Sequence, residues 1–327
     1  MKLSIVTTLY KSEQHIKEFC ERAALAAEQL VGDDYEMVLV NDGSPDNSFN
    51  VALELAKVNP HILLIDLSRN FGHHKAMMTG LAHANGELVF LIDSDLEEDP
   101  ELLNLFSKKM ELDLCDVVYG IQEKRKGGFF ERISGQLFYR VFRALTGIKI
   151  PSNIVVARLM TRRYVNALLL HQEREIFMAG LWSITGFNQQ PQIINKKSTS
   201  QTTYTLRRKI SMFVNAITAF SNTPLISIFY VGILILLFSS AYAVFLIVNR
   251  FVFHTILSGW TSIMASVWLL GGLIISFIGI IGIYLSKIFS EIKQRPYTIV
   301  RQIYQKNLIE PRNKELVVRS AKPTIDE

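Results

Sequence analysis

Leu88-Val89-Phe90-Leu91-Ile92-Asp93-Ser94-Asp95 decides how this chain folds. Five apolar residues in a row read as a strand buried on both faces. The run then meets two acids one residue apart. A buried strand ending in Asp-x-Asp puts carboxylates where an open sheet forms its ligand crevice. Hard oxygen donors at that place suit Mg²⁺ or Mn²⁺, ions that also bind phosphate oxygens. Turn and helix-cap acids show the same short pattern, so the motif needs its neighbours to carry meaning.

The neighbours alternate between strand and helix. Leu3–Leu9, Tyr35–Val40, Ile62–Leu67 and Asp116–Tyr119 are predicted strands, with Leu88–Ile92 fourth in order. Helical periodicity covers His15–Leu30, Phe49–Val58, Lys75–Ala84 and Pro100–Met110. This alternation predicts an α/β domain with a mostly parallel sheet covered on both faces. Thr8-Leu9-Tyr10, Asn41-Asp42-Gly43 and Asp93-Ser94-Asp95 then fall together at strand ends, on the edge where such sheets bind ligands.

The last third changes character. Leu225–Val248 and Thr261–Ser286 contain no charged residue, and each is long enough to cross a hydrocarbon core of about 30 Å. Arg207-Arg208-Lys209 precedes the first span; Lys287, Lys293, Arg295, Arg301 and Lys306 follow the second. The connection between them has only Arg250 and His254. The positive-inside rule therefore predicts a multi-pass protein of the inner membrane, with the N-terminal domain and C-terminal tail in the cytoplasm. The expected boundaries are a domain over 1–205, a juxtamembrane amphipathic helix over 206–224, spans over 225–248 and 261–286, an external loop over 249–260 and a tail over 287–327. The net charge of +5 is concentrated beside the spans, which argues against nucleic-acid binding. Met1–Tyr10 reads as a strand rather than a cleavable leader. Cys20 and Cys115 lack metal or redox spacing and read as reduced thiols.

Taken in order, these residues resemble the family 2 glycosyltransferases that charge a polyprenyl phosphate, the dolichyl-phosphate mannose synthases and bactoprenol glucosyltransferases. Leu67-Ser68-Arg69-Asn70-Phe71-Gly72 with Gly80-Leu81 looks like the family's "L-S-R-N-F-G … A-G-L". Asp93-Ser94-Asp95-Leu96-Glu97 looks like "D-A-D-L-Q", and Val40-Asn41-Asp42-Gly43-Ser44 like "V-D-D-G-S". Phe138-Tyr139-Arg140, Arg158-Leu159-Met160, Glu173-Arg174 and Phe220-Ser221-x-x-Pro224-Leu225 continue it. The resemblance runs from Leu3 to the second span.

It implies a GT-A, Rossmann-like catalytic domain followed by two membrane helices. It also implies a nucleotide-sugar donor, with a UDP-sugar as first expectation, a divalent ion and a lipid-phosphate acceptor in the bilayer. A homo-oligomer is a further implication. Thr8, Tyr10, Asp42, Arg69 and Asp93 would line the donor site, and Asp95 and Glu97 would face the metal. Arg158 and Lys197 would meet phosphates while Tyr204 closes a loop over them. Arg125, Arg132 and Ser134 would hold the acceptor phosphate; a solvated basic face explains them equally well.

Several positions depart from that pattern. The family's acid after the first strand is Ser12 here, with Glu13 one residue late, and its "G-D-F-R-L-M" aspartate is Val156. The closing-loop Arg is Lys197, a nearby Lys is Thr203, and the metal-side Gln is Glu97. The Val156 change bears on chemistry. A phosphate monoester with a second pKa of about 6 is already an anionic nucleophile at neutral pH and needs no base. A sugar hydroxyl would need one.

Other residues read as structure. Asp46 is expected in a turn, Glu98 and Asp99 in a solvated helix start, and Trp182 and Phe187 in the core. Adjacent His73 and His74 point apart, against a zinc pair. A processive polysaccharide synthase would carry Gln-x-x-Arg-Trp and more spans. A non-catalytic nucleotide-sugar-binding membrane protein is the alternative that Ser12 and Val156 raise.

Overall fold

The computed structural model describes residues 1–122, 140–148, 151, 153–174, 176–196, 214, 217–253 and 259–306. The chain divides into two units. One comprises 1–136, 149–203 and 295–327; the other comprises 137–148 and 204–294.

The first unit is built on one eight-stranded sheet in the order β7-β5-β6-β4-β1-β2-β3-β8. Its centre is β1 (Leu3–Leu9), β2 (Tyr35–Asn41), β3 (Ile62–Leu67) and β4 (Leu88–Leu91). These four strands run parallel in the order β3-β2-β1-β4. The helices α1 (Ile16–Val31), α2 (Ser48–Val58), α3 (His73–His83) and α4 (Leu102–Asp113) alternate with them. Every residue of β1 and β2 is buried. Helices cover both faces, so polar members such as Ser4, Thr7 and Glu36 are buried with the apolar ones. Gly80 on α3 is required by close packing, since a Cβ there would lie 2.5 Å from a methyl of Val6.

Beyond β4 the sheet turns mixed. β5 (Val117–Gln122) and β6 (Ile154–Thr161) pair antiparallel, and β6 also pairs antiparallel with β4. The helices α5 (Arg162–Leu169) and α6 (Met178–Ile184) lead to β7 (Gln189–Ile194), parallel to β5. Glu98, expected in solvent, is fully buried. Phe187, expected in the core, is 45% exposed and has φ of 63°.

The opposite edge holds a strand that sequence periodicity leaves in the tail. β8 (Val300–Tyr304) pairs antiparallel with β3, with Leu64 opposite Tyr304 and Asp66 opposite Gln302. A polar five-residue segment, Val-Arg-Gln-Ile-Tyr, carries no periodic signal of its own; the open edge of β3 selects it.

The second unit contains α7 (Thr223–Phe253) and α8 (Trp260–Ile292), which enclose both expected spans. Among the described residues one segment, Leu269–Ile292, is long and apolar enough to cross a membrane; Thr223–Ser239 is apolar but shorter. The two expected crossings are thus reduced to one on this criterion. Phe229, Leu269, Ile275 and Leu285 all expose more than half of their surface. Apolar exposure on that scale needs a bilayer or another protein to cover it. Ser221 and Thr223 bond the Leu145 carbonyl, and Tyr284 Oη donates to the Ser221 carbonyl at 2.7 Å. The amphipathic stretches expected over 129–145 and 206–220 lie largely outside the described residues.

Candidate active site

Parallel pairing brings the three polar motifs to one edge. Leu9 sits opposite Asn41 and Asn41 opposite Asp66, while Ile92 donates its amide to the Val6 carbonyl at 3.1 Å. The ends of β1, β2, β3 and β4 therefore open together. Such a crevice beyond the carboxyl ends of parallel strands is where α/β sheets bind ligands.

Asp42 organises one wall. Its carboxylate accepts hydrogen bonds from the amides of Phe71 (2.7 Å) and Gly72 (3.0 Å), while Asn70 Nδ2 donates to its carbonyl at 3.0 Å. The expected donor contact thus also clamps the Arg69–Gly72 loop. Burial raises the Asp42 pKa, although the two amides oppose the shift. Gly43 has φ of +57°, and a Cβ there would lie 2.5 Å from the Asn70 amide nitrogen and 2.6 Å from the Arg69 carbonyl carbon. Only glycine lets the two loops touch. Arg69 is exposed and lies over the Phe71 ring.

The loop after β1 is pinned by serines. Ser12, where the resemblance leads one to expect an acid, is buried and accepts from the Tyr10 amide at 3.2 Å. Its own amide donates to Ser48 Oγ, and Ser94 Oγ lies 3.0 Å from Ser12 Oγ. Tyr10 itself is 49% exposed. Asp46 behaves as a turn residue, its pKa lowered to about 2; burial opposes the shift, and bonds from Ser44 and Ser48 outweigh it.

His73 joins the motifs, a role its sequence context does not reveal. Its Nδ1 lies 2.9 Å from Thr8 Oγ1, and its Nε2 lies 3.3 Å from Asp93 Oδ1. Burial disfavours the imidazolium, but the bond to Asp93 and the charges of Asp93, Asp42 and Asp95 raise its pKa overall. The neighbouring His74 turns to the Ile176 carbonyl (3.0 Å), and burial lowers its pKa. The place of His73 at the opening of α3, directly after "R-N-F-G", does not single it out, since His74 shares that place and turns away.

Asp95, Glu97 and Glu98 crowd the other wall. Asp95 Oδ1 accepts from the Glu97 amide at 3.0 Å across Leu96, whose φ is +57°. A branched residue in the left-handed region is strained, and here the strain aims two carboxylates. Burial raises the Asp95 pKa, with the Asp93 and Glu97 charges adding and the Glu97 amide and Lys196 opposing. Lys196 Nζ lies 3.1 Å from Glu97 Oε2 and 3.5 Å from Glu98 Oε1. Glu98 Oε2 accepts from the Ala157 amide at 2.7 Å. Burial and the Asp93 charge push Glu98 up to about 7.

Among the described residues no group of three or more His, Cys, Asp or Glu side chains could hold a metal ion unaided. The donor chemistry still fits one. Asp95 is a half-buried oxygen donor crowded by like charges, which a cation relieves. Mg²⁺ needs few protein carboxylates when diphosphate oxygens complete its shell. Glu97 could join Asp95 once Lys196 yields it.

Arg158 differs from a simple phosphate ligand. It sits on β6 opposite Leu91, fully buried, with its guanidinium stacked on Trp182. Nε and Nη2 donate to the carbonyls of Val156 and Val155, and Nη1 has no hydrogen-bond partner among the described residues. Burial lowers its pKa to about 9. Val156 is half-buried beside it. Arg125, Arg132, Ser134, Lys197 and Tyr204 lie outside the described residues.

The sequence matches Glycosyl transferase family 2 over residues 4–169. A Mycobacterium tuberculosis glycosyltransferase is 50% identical over 308 residues, covering 94% of this chain and 90% of its own. A Bacillus subtilis glycosyltransferase, YkcC, is 32% identical over 307 residues, covering 93% and 94%. An SfII prophage-derived bactoprenol glucosyl transferase of Shigella flexneri is 28% identical over 311 residues, covering 94% of this chain and all of that one.

Proposed function

Because this chain belongs to glycosyl transferase family 2, we propose that it moves a sugar from a nucleotide-sugar to a polyprenyl phosphate at the cytoplasmic face of a membrane. The anomeric centre would invert. The observation that carries the reading is the cluster of Asp42, Asp93 and Asp95 at one sheet edge, in a chain that continues into apolar helices. The bactoprenol glucosyl transferase relative supports a lipid-phosphate acceptor.

In this reading Asp42 holds the Arg69–Gly72 loop against the nucleotide. Asp93, oriented by His73 and Thr8, faces the sugar or ribose. Asp95, with Glu97, holds Mg²⁺ or Mn²⁺, which would neutralise charge growing on the departing diphosphate. Lys196 and Lys197 stand at the start of the loop expected to close over the phosphates. Arg158 braces β6 beneath the site. Position 156 carries no acid, which agrees with an acceptor that is already an anionic nucleophile. Arg125, Arg132 and Ser134 are the proposed acceptor contacts.

Chain connectivity supports two crossings. Residues before and after the apolar helices fold into one unit, so both ends of 204–294 share a compartment. Such a segment crosses an even number of times. With Leu269–Ile292 as one crossing, α7 supplies the other.

The test is incubation of protein-containing membranes with a panel of nucleotide-sugars, undecaprenyl phosphate and Mg²⁺ or Mn²⁺. A lipid-linked sugar is expected, with UDP-hexoses first. Transfer to a free sugar but none to undecaprenyl phosphate would refute the acceptor.

A further inference from the structure

The strand that follows the last apolar helix packs against the base of the Arg69–Gly72 loop. α8 ends at Ile292 and β8 begins at Val300. Ser68, which opens the Arg69–Gly72 loop, donates its amide to the Ile299 carbonyl at 2.9 Å. Arg301 forks over the same turn. Its Nη1 lies 3.1 Å from Asp66 Oδ2, and its Nη2 donates to the Ser68 carbonyl at 2.7 Å. Asp66 is 2% exposed, and its other oxygen accepts from Asn41 Nδ2 at 2.7 Å. Asn41 precedes Asp42, whose carboxylate holds the far end of the loop at Phe71 and Gly72. Thr298 Oγ1 adds a 2.7 Å contact to Thr79 Oγ1 on α3.

We propose that β8 is a working part of the donor site, with Arg301 as a positioning residue that fixes the Ser68–Gly72 loop from behind. A strand serving only to cover an open edge needs backbone pairing alone. Here one guanidinium ties a buried carboxylate to the carbonyl at the loop's base, and that carboxylate ties the loop to Asn41. The register shift in the β3–β8 pairing falls between Asp66 and Leu67, where the strand gives way to the loop. Arg301 lies beyond the residues matched to the family, so the donor site depends on sequence past the membrane segment. The inference rests on the reading of this loop as nucleotide-facing.

Full-length protein in detergent, with Arg301→Gln, Arg301→Lys and Asp66→Asn/Arg301→Gln variants, tests it. Hydrogen exchange at the Phe71 and Gly72 amides is the first measurement, because it needs no ligand. Arg301→Gln is expected to speed exchange there at least tenfold more than in β1, and Arg301→Lys to restore part of the protection. UDP with Mn²⁺ is the binding probe, and Arg301→Gln is expected to weaken it about tenfold. The double variant removes the unpaired buried carboxylate, so it should regain melting temperature without regaining UDP affinity. Unchanged exchange at Phe71 and Gly72 in Arg301→Gln overturns the proposal. So does UDP affinity that simply follows melting temperature across the variants. If wild-type protein binds none of UDP, GDP and dTDP, the nucleotide reading fails, and the exchange result still decides whether Arg301 positions the loop.

Discussion

Gly43→Ala tests whether the donor loop is held by close backbone contact. Two costs can be worked out separately. A left-handed φ of +57° costs an L-residue about 1–2 kcal/mol. The new Cβ would also lie 2.5 Å from the Asn70 nitrogen and 2.6 Å from the Arg69 carbonyl carbon, both backbone atoms. Neither can swing aside as a side-chain tip could, so the loop must move; overpacking of this kind costs about 1–3 kcal/mol. Gly186→Ala is the matched control: φ is +76° there, and nothing lies within 4 Å of its Cβ. The control should lose only the φ cost. Gly43→Ala should lose about 3 kcal/mol, roughly 6–12 °C in melting temperature for a domain of this size. Loop displacement should appear in binding too, where each 1.4 kcal/mol is tenfold. Thermal unfolding and UDP titration of full-length protein in detergent read both quantities. Equal destabilisation in the two variants, or intact UDP affinity in Gly43→Ala, would refute the close-contact argument.

Asp95→Ala should abolish metal-dependent turnover, by about a hundredfold or more, as expected for loss of electrostatic stabilisation at the reacting phosphates. Its melting temperature should hold or rise, because burial and the Asp93 and Glu97 charges already disfavour its ionised form; a large loss of stability would recast Asp95 as structural. Glu98 should make the metal-free fold sensitive to pH. Its folded pKa of about 7 exceeds the ordinary 4.5, so the folded state binds the extra proton, and stability should fall as pH rises from about 4.5 through 7. Urea denaturation in EDTA should show that fall in wild type and a flatter profile in Glu98→Gln. Val156→Asp should change the rate of transfer to undecaprenyl phosphate less than about threefold, since that acceptor needs no base; a large gain would mean that the reaction lacks one.

The central sheet was legible because parallel strands buried on both faces leave apolar runs, as in Met37–Val40 of β2 and Leu88–Leu91 of β4. Asp42, Asp93 and Asp95 were legible because strand ends and turn residues coincide in sequence. β8 was not, since its pairing is imposed by the open edge of β3 more than two hundred residues away. Glu98 was misread for a related reason. In Glu97-Glu98-Asp99 three acids look alike, yet the amide of Ala157 on β6 draws the middle one fully inside. Local pattern carries no information about a partner brought by the sheet.

His73 shows what this means for the site. Motif reading assigns each acid to a ligand: Asp42 to the nucleotide, Asp93 to the sugar, Glu97 to the metal. In the fold each is also committed to protein, Asp42 to two loop amides, Asp93 to His73 and Glu97 to Lys196. Asp95 is committed to one amide two residues on, with no opposite charge bound to it among the described residues. A cation entering the cluster would therefore meet Asp95 first and would compete with Lys196 for Glu97. Lys196 precedes Lys197, the residue expected to meet donor phosphates, and metal arrival at Glu97 would loosen Lys196 to its remaining contact with Glu98. Glu97→Gln should leave Lys196 held by Glu98 alone without a metal, and the amides near residue 196 should exchange faster in EDTA than in wild type. Equal exchange in the two proteins would separate the loop from the metal site.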